Sequence, residues 1–387
     1  MKATIIGAGI AGLSLALCLE KQGLDYELFE AAEDLKALGA GIVLSPNVLY
    51  IFDQLGIKEE IESSGAVLSE FQIVSSQRKS LQRITNETQL HGKSYCAVGI
   101  HRAVLQEILL SKLQARKLYL GYKLARLEPS PLSLEFANGI TIQPDCVVGA
   151  DGIHSQVRQS LEERGQLRYS GQSCWRGLCQ LEAADLPEHV ALEFWGNGDR
   201  FGIVPIDKGQ LYWYAPALCP AGQKDASSQR AKANLLELYQ DYHPMIKRVL
   251  EATPDAAIMR HDLHDLTPLS RWHNQTTVLI GDAAHATTPN LGQGAAQGIE
   301  DAWVLSHKLK NAASLEQAFT EFETQRRPKA KQVVQLSWQI GQLANLKNPL
   351  LTMLRNQAFR LSPKSWTIKQ RKRLYFVPAS AELIQNA

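Results

Sequence analysis

Lys2-Ala3-Thr4-Ile5-Ile6-Gly7-Ala8-Gly9-Ile10-Ala11-Gly12-Leu13 opens this chain, and Asp25-Tyr26-Glu27-Leu28-Phe29-Glu30 follows one helix-length later. The apolar run before Gly7 predicts a short buried strand. Leu13 to Gln22 predicts a helix that ends before Gly23, and residues 25–30 predict a second strand. Gly7 permits the tight turn, Gly9 lets backbone N–H groups approach a pyrophosphate, and Gly12 lets helix and strand pack closely. The positive end of the helix dipole then favours the phosphate charge. Glu30 closes the second strand where an acid would bind the hydroxyls of an adenosine ribose. A glycine triplet alone is a weak signal. With a strand before it, a helix after it and the acid in register, it reads as a dinucleotide-binding turn. The glutamate argues against a 2′-phosphate, so the held nucleotide is expected to be FAD or NAD rather than NADP.

Two later segments repeat the strand–turn–helix theme. Gly149-Ala150-Asp151-Gly152-Ile153-His154-Ser155-Gln156-Val157-Arg158 follows the strand Cys146-Val147-Val148. Taken alone, its Asp-Gly pair is a common turn. The apolar run Thr277-Val278-Leu279-Ile280 leads into Gly281-Asp282-Ala283-Ala284-His285. Pro289-Asn290-Leu291-Gly292-Gln293-Gly294-Ala295 and Glu300-Asp301-Ala302 come next. Here an acid at a strand end can accept from a sugar-alcohol hydroxyl, and the glycine-rich helix start can polarise a flavin carbonyl. The material between these segments is rich in short strands.

The expected architecture is therefore α/β. A Rossmann-like, discontinuous FAD-binding domain (1–66, 97–165 and 268–312) is interrupted by a mixed β-sheet substrate domain (67–96 and 166–267), with a C-terminal helical segment over 313–387. Helical structure is expected over 101–117 and 229–252, and nearly continuous helix from 291 to about 361.

Composition narrows the function. The chain has 387 residues, 45% hydrophobic and 21% charged, with a formal net charge of +2. That balance is ordinary for a globular protein and gives no electrostatic case for nucleic acid. Cysteines at 18, 96, 146, 174, 179 and 219 form no CxxC pair and no zinc-ligand spacing. Neither a dithiol redox centre nor a metal site is expected, and the composition suits a reduced, cytoplasmic protein. The apolar start is broken by glycines, so it is read as strand and turn, not as a targeting segment. No uninterrupted apolar run is long enough for a membrane span.

Together, the three segments resemble the FAD fingerprint, the "DG" motif and the "GD" motif of the group A flavoprotein aromatic hydroxylases. The resemblance covers roughly residues 1–330. That family includes 4-hydroxybenzoate, salicylate and urate hydroxylases, zeaxanthin epoxidase and tetracycline-inactivating monooxygenases. It implies FAD held by Gly7, Gly9, Ala11, Gly12 and Glu30, with Arg102 reaching the pyrophosphate. Asp151 would serve both FAD and NAD(P)H, and Asp282 the ribityl chain. Gly292, Gln293, Gly294 and Ala295 would lie beside the flavin pyrimidine, with Pro289 over the isoalloxazine. Many relatives have asparagine where this chain has Ala296. The contacts there are largely backbone, so cofactor binding is not placed in doubt. No second GxGxxG with strand and helix context occurs, which fits transient NAD(P)H use. The family's reaction passes through a flavin C4a-hydroperoxide that delivers one atom of O2.

The resemblance places substrate contacts on the middle sheet. Ser173-Cys174-Trp175-Arg176-Gly177 resembles a recurrent first strand there. Alternation puts Tyr212 and Tyr214 on one face and Leu211 and Trp213 on the other. Urate-hydroxylase-like relatives place an arginine and a tyrosine near the positions of Arg200 and Tyr212. The residue matching Asn290 is acidic in them, which argues against simply transferring urate. The candidate pocket is Arg200, Tyr212, Tyr214, Pro289 and Asn290. The candidate catalytic residues are Pro289, Tyr212, Arg200 and His285, the last against the plainer reading of a residue that packs the turn.

The expected activity is a single-component monooxygenase hydroxylating or epoxidising a small aromatic or polyene-like molecule, as monomer or homodimer. A halogenase or reductase on the same scaffold is the alternative, although the halogenase signature Trp-x-Trp-x-Ile-Pro is absent. A non-enzymatic binding module would be expected to lose the flavin-side turn, which is retained. The basic tail, with Arg360, Lys364, Lys369, Arg371, Lys372 and Arg373, reads as a solvated face over the domain interface. Peripheral membrane association through it is the less favoured reading.

Overall fold

The computed structural model describes residues 1–35, 40–114, 117–161, 165–181, 189–363, 371–379 and 382–383. Its first sheet is parallel. The strands run Leu118–Tyr119, Asp25–Phe29, Lys2–Ile6, Cys146–Gly149, Thr277–Leu279 across it. Ile5, Val147, Val148, Val278 and Leu279 are all fully buried. Such continuous apolar runs suit strands covered on both faces. Helix Ile10–Gln22 packs on this sheet, and helix Gly294–Asn311 packs on that helix. A β-carbon added at Gly298 would lie 3.0 Å from the Ala11 methyl, so small residues set the close helix–helix approach. Phe136, from the meander Leu124–Pro129, Leu132–Phe136 and Thr141–Ile142, meets Phe29 with ring centroids 4.9 Å apart.

The second sheet is mixed and has seven strands among the described residues. They are ordered Met259–Leu266, Leu167–Gln180, Gln210–Leu218, Arg200–Asp207, Val190–Trp195, Glu70–Ser75, Ser80–Thr85. Its neighbours are antiparallel except Val190–Trp195 with Glu70–Ser75. One face buries Leu211, Trp213 and Phe201 against Leu235, Ile246, Val249 and Leu250 of two helices. Tyr212 and Tyr214 lie on the other face, as alternation predicts. That face meets a small sheet of Gly41–Leu44, Ala97–His101 and Ala66–Leu68. Two glycines allow this contact: a β-carbon at Gly99 would lie 2.1 Å from the Pro205 carbonyl oxygen, and one at Gly41 2.4 Å from Tyr212.

Several helices are shorter than periodicity suggests. The stretch 229–252 is two helices, Ser228–Leu238 and Pro244–Ala252, because Pro244 disfavours helix at the residue before it and starts the next. The expected helix over 101–117 covers Arg102–Ser111, and residues 115–116 lie outside the described residues. The C-terminal helical run is divided into Gly294–Asn311, Leu315–Ala344 and Pro349–Leu361. Ser314 and Asn348 make those breaks by accepting backbone N–H groups of the next helix through their side chains.

Candidate active site

The glycine turn is tight in two places and open in one. A β-carbon at Gly7, where φ is +104°, would meet the Ala150 carbonyl oxygen at 2.5 Å, and one at Gly12 the Gly7 oxygen at 1.9 Å. At Gly9 nothing lies within 4 Å. Gly9 is also the N-cap of helix Ile10–Gln22, which has no side-chain cap and no acid in its first turn. The uncapped N–H groups and the open space fit a pyrophosphate. Glu30 accepts from the Ala8 and Ala32 amides at 2.7 and 2.9 Å, so it is fixed at the rim of this turn.

A second uncapped helix end lies at Gly294. Gln293 is the N-cap of helix Gly294–Asn311, again without a side-chain cap and without an acid in the first turn. Gly292 turns the chain with φ of +62°, and a β-carbon there would find nothing within 4 Å. Asp282 stands beside this end, its Oδ1 4.0 Å from the β-carbon position of Gly294. The side chain is open to the cleft, yet surrounding protein raises its pKa by desolvation, with His285 and Arg102 pulling the other way. Arg102 opens its helix with an exposed side chain, and its amide donates to Ala40 O at 3.2 Å. Pro289 is exposed at the first position of a short turn, Pro289–Leu291. Two uncapped helix starts with an open carboxylate at one of them fit the two ends of FAD.

Asp151 is engaged locally. It accepts from Ser155 Oγ at 2.5 Å and from the Gln156 and Val157 amides at 2.7 and 3.0 Å. Burial raises its pKa, and these bonds oppose the rise. Arg158, to which the sequence assigns no role, joins the second and third segments. It donates to Ala283 O at 2.9 Å and to Ile153 O at 2.6 Å.

His285, expected either to do acid–base work or to pack the turn, is engaged by its surroundings. The ring is buried, and Nε2 lies 2.6 Å from Asp301 Oδ2. Asp301 also accepts from Gly281 N at 2.9 Å and Arg326 Nε at 2.8 Å. Arg326 reaches Glu300, and Lys329 binds both Glu300 carboxylate oxygens at 2.7 and 2.8 Å. Burial would raise Asp301, but His285 and Arg326 beside it outweigh that and hold it at about 2. Two carboxylates and two cations thus balance behind the turn. Arg326 also donates to Gln297 Oε1, Gln297 to Gln293 and Gln293 to Ser45, so a polar chain ties this cluster to the flavin-side turn. Only the unusual Glu300-Asp301 pair in a helix otherwise rich in small and apolar residues hinted at it.

The sheet wall departs from expectation at Arg200 and Asn290. Arg200 is buried, donating to Glu193 Oε1 at 3.0 Å and Asn290 Oδ1 at 2.5 Å. Asn290 in turn donates to Thr288 Oγ1 and the Ser337 carbonyl. These residues clasp the wall to the turn, while Arg200 Nε has no hydrogen-bond partner among the described residues. Glu193 gave no sequence signal, because a lone acid in an apolar strand has no local signature. Arg176, Tyr214, Gly202 and Glu193 form one cross-strand row. The Tyr214 ring lies over Gly202, where a β-carbon would come within about 2.0 Å of it. Tyr212 and Tyr214 lie 5.8 Å apart between ring centroids. Burial pushes both phenols well above their ordinary value, and the nearby arginines only partly offset it. Both remain neutral hydrogen-bond donors across the physiological range.

The chain is similar to known proteins over most of its length. The FAD binding domain family model matches residues 1–337. The chain is 34% identical over 377 residues to aurachin C monooxygenase/isomerase of Stigmatella aurantiaca, covering 97% of this chain and 98% of that protein. It is 32% identical over 383 residues to 2-heptyl-3-hydroxy-4(1H)-quinolone synthase of Pseudomonas aeruginosa, covering 97% and 98%. The crystal structure of Klebsiella pneumoniae HpxO with FAD and uric acid superposes with a TM-score of 0.87 at 27% identity, covering 97% of this chain and 96% of that one.

Proposed function

This chain belongs to the group A FAD-dependent aromatic hydroxylases, and from that premise we propose that it is a single-component monooxygenase fed by NAD(P)H. Substrate, O2, NAD(P)H and a proton would give hydroxylated substrate, water and NAD(P)+. FAD, when bound, supplies the electron relay between nicotinamide and oxygen. The protein supplies position, charge and dryness. The observation that carries this reading is the pair of uncapped helix ends with Asp282 open beside one of them. Gly7, Gly9, Ala11 and Gly12 would cradle the pyrophosphate, with Glu30 at the adenosine ribose and Arg102 at the phosphates. Asp282 would accept from the ribityl chain. Backbone amides of Gly292 to Ala295 would face the pyrimidine and favour negative charge there.

Tyr212 and Tyr214 would orient the substrate as neutral donors, with Pro289 closing the opposite side. Arg200 and Asn290 would act as positioning residues through their mutual clasp. Arg200 is paired with Glu193, whereas no acid stands beside Arg176 in the same row, so the wall can take a ring carrying a polar acceptor. An alkyl-substituted nitrogen heteroaromatic, the kind of compound in the name of the Pseudomonas relative, is the first substrate to try. The purified protein should be yellow. NAD(P)H oxidation should rise with the right substrate, and the product should gain one oxygen atom by mass. A colourless protein that does not take up FAD would overturn the reading.

A further inference from the structure

Helix Pro349–Leu361 is packed inside out. Its buried residues are Thr352 and Arg355. Arg355 donates to the carbonyls of Ala344 and Gly196 at 3.1 and 3.0 Å, with its guanidinium over the Trp195 ring. Phe359 is the large apolar residue that turns inward, meeting Trp195 edge-on at 5.0 Å. The outward face carries Leu350, Leu351, Met353, Leu354 and Leu361, between 46% and 78% exposed. A helix bordered only by water would show the opposite pattern, with its polar stripe outside. A contiguous apolar face of this kind marks an interaction surface.

Charge indicates what covers it. Between Glu323 and Glu382 the sequence holds twelve lysines and arginines and no acid. Arg326, Arg327 and Lys329 pair with acids outside that stretch and Arg355 is buried, which leaves the cations around the leucine face without acids of their own segment. Exposed Lys347 and Arg360 stand at the two ends of the leucine face. Arg371, farther on, is held by Glu87 O and Thr88 Oγ1, while Lys364 and Lys369 lie outside the described residues. A second copy docking by the same face would bring a second acid-free, cationic segment against the first. An anionic lipid surface offers both the apolar phase and the opposite charge.

We propose that this helix docks the protein on anionic phospholipid bilayers. The leucines enter the boundary between headgroups and acyl chains, and the flanking cations meet the headgroups. No helix among the described residues is long and apolar enough to cross the membrane, so the contact is peripheral.

The test is flotation of the FAD-loaded protein with vesicles of phosphatidylcholine alone or mixed equally with phosphatidylglycerol. The expected result is binding to the mixed vesicles, about tenfold or more weaker on phosphatidylcholine alone and in molar salt. Replacing the exposed side chains together (L350S, L351S, M353S, L354S) should weaken binding about tenfold or more. Flavin content and melting temperature should stay unchanged. A second variant, K347Q with R360Q, should reduce the preference for phosphatidylglycerol and flatten the salt dependence. The proposal is overturned if the parent protein does not float with the mixed vesicles, or if the serine variant floats as well as the parent. It is equally overturned if the serine replacements turn a dimer into a monomer in sedimentation, which would make the occupant a second copy.

Discussion

Asp282 and Asp301 both feel His285, yet they are driven in opposite directions. Desolvation by the surrounding protein raises the pKa of Asp282 although its side chain is exposed, while Asp301 is held at about 2. The difference lies in their partners. Asp301 receives an amide, an imidazole and a guanidinium. Asp282 stands open to the cleft beside an uncapped helix end. The two sides of this turn therefore do different work. Behind it, every charge is paired and the backbone is held in place. In front, among the described residues, the Asp282 carboxylate and the first amides of the helix have no side-chain partner, as a binding site requires.

Removing the cation that joins the rear cluster should break the comparison most forcefully. Arg326→Met leaves Asp301 and Glu300 short of a buried partner and should cost about 3–5 kcal/mol. The urea midpoint of the apoprotein reads this directly, and a loss under about 1 kcal/mol would show that the cluster is not the support described.

Asp282→Asn probes the front. FAD affinity should fall by roughly tenfold to a hundredfold, the loss of a charge-assisted hydrogen bond. The apoprotein should melt no lower than the parent, because no hydrogen bond or ion pair among the described residues is lost with the carboxylate. If its stability dropped as far as that of Arg326→Met, front and rear would not be separable.

Acid should weaken the rear, whereas protonation relieves Asp282, whose pKa is raised. The folded pKa of Asp301 is depressed, so its stabilisation is present above the unfolded value and is lost as pH falls through the folded one. Stability should decline between about pH 4 and pH 2 by on the order of 2 kcal/mol from this group. An Asp301→Asn variant lacking that part of the decline would sharpen the assignment, and an unchanged acid profile would remove it.

The smallest effect is expected from His285→Gln. Asp301 keeps its other two donors, so the loss should be about 1.5 kcal/mol. The pH profile of kcat should keep its shape. Disappearance of one limb of that profile would restore His285 to an acid–base role.

The family and the α/β fold were legible because their signals are local. Gly7 and Gly12 are required by contacts with the Gly7 and Ala150 carbonyls that any residue with a β-carbon would violate. The turns at Gly281 and Gly292 carry the same kind of short-range instruction. Alternation likewise placed Tyr212 and Tyr214 opposite Leu211 and Trp213. Helix ends at Ser111 and Leu238 were less legible, since periodicity continues past the residues that fray or turn.

The amino-acid sequence by itself therefore determined the FAD-type fingerprint and the strand–turn–helix units around it, since backbone geometry there depends on residues a few positions apart. Tertiary structure alone decided which polar side chains are offered to a ligand and which are consumed as support. Asn290 meets Arg200 across 90 positions, and Asp301 meets Arg326 across 25. It also decided that the leucines of helix Pro349–Leu361 face outward, because Arg355 finds its acceptors at Ala344 and Gly196 only once the sheet is assembled. A side chain's role follows from its partners, and partners distant in sequence are chosen only by the folded chain.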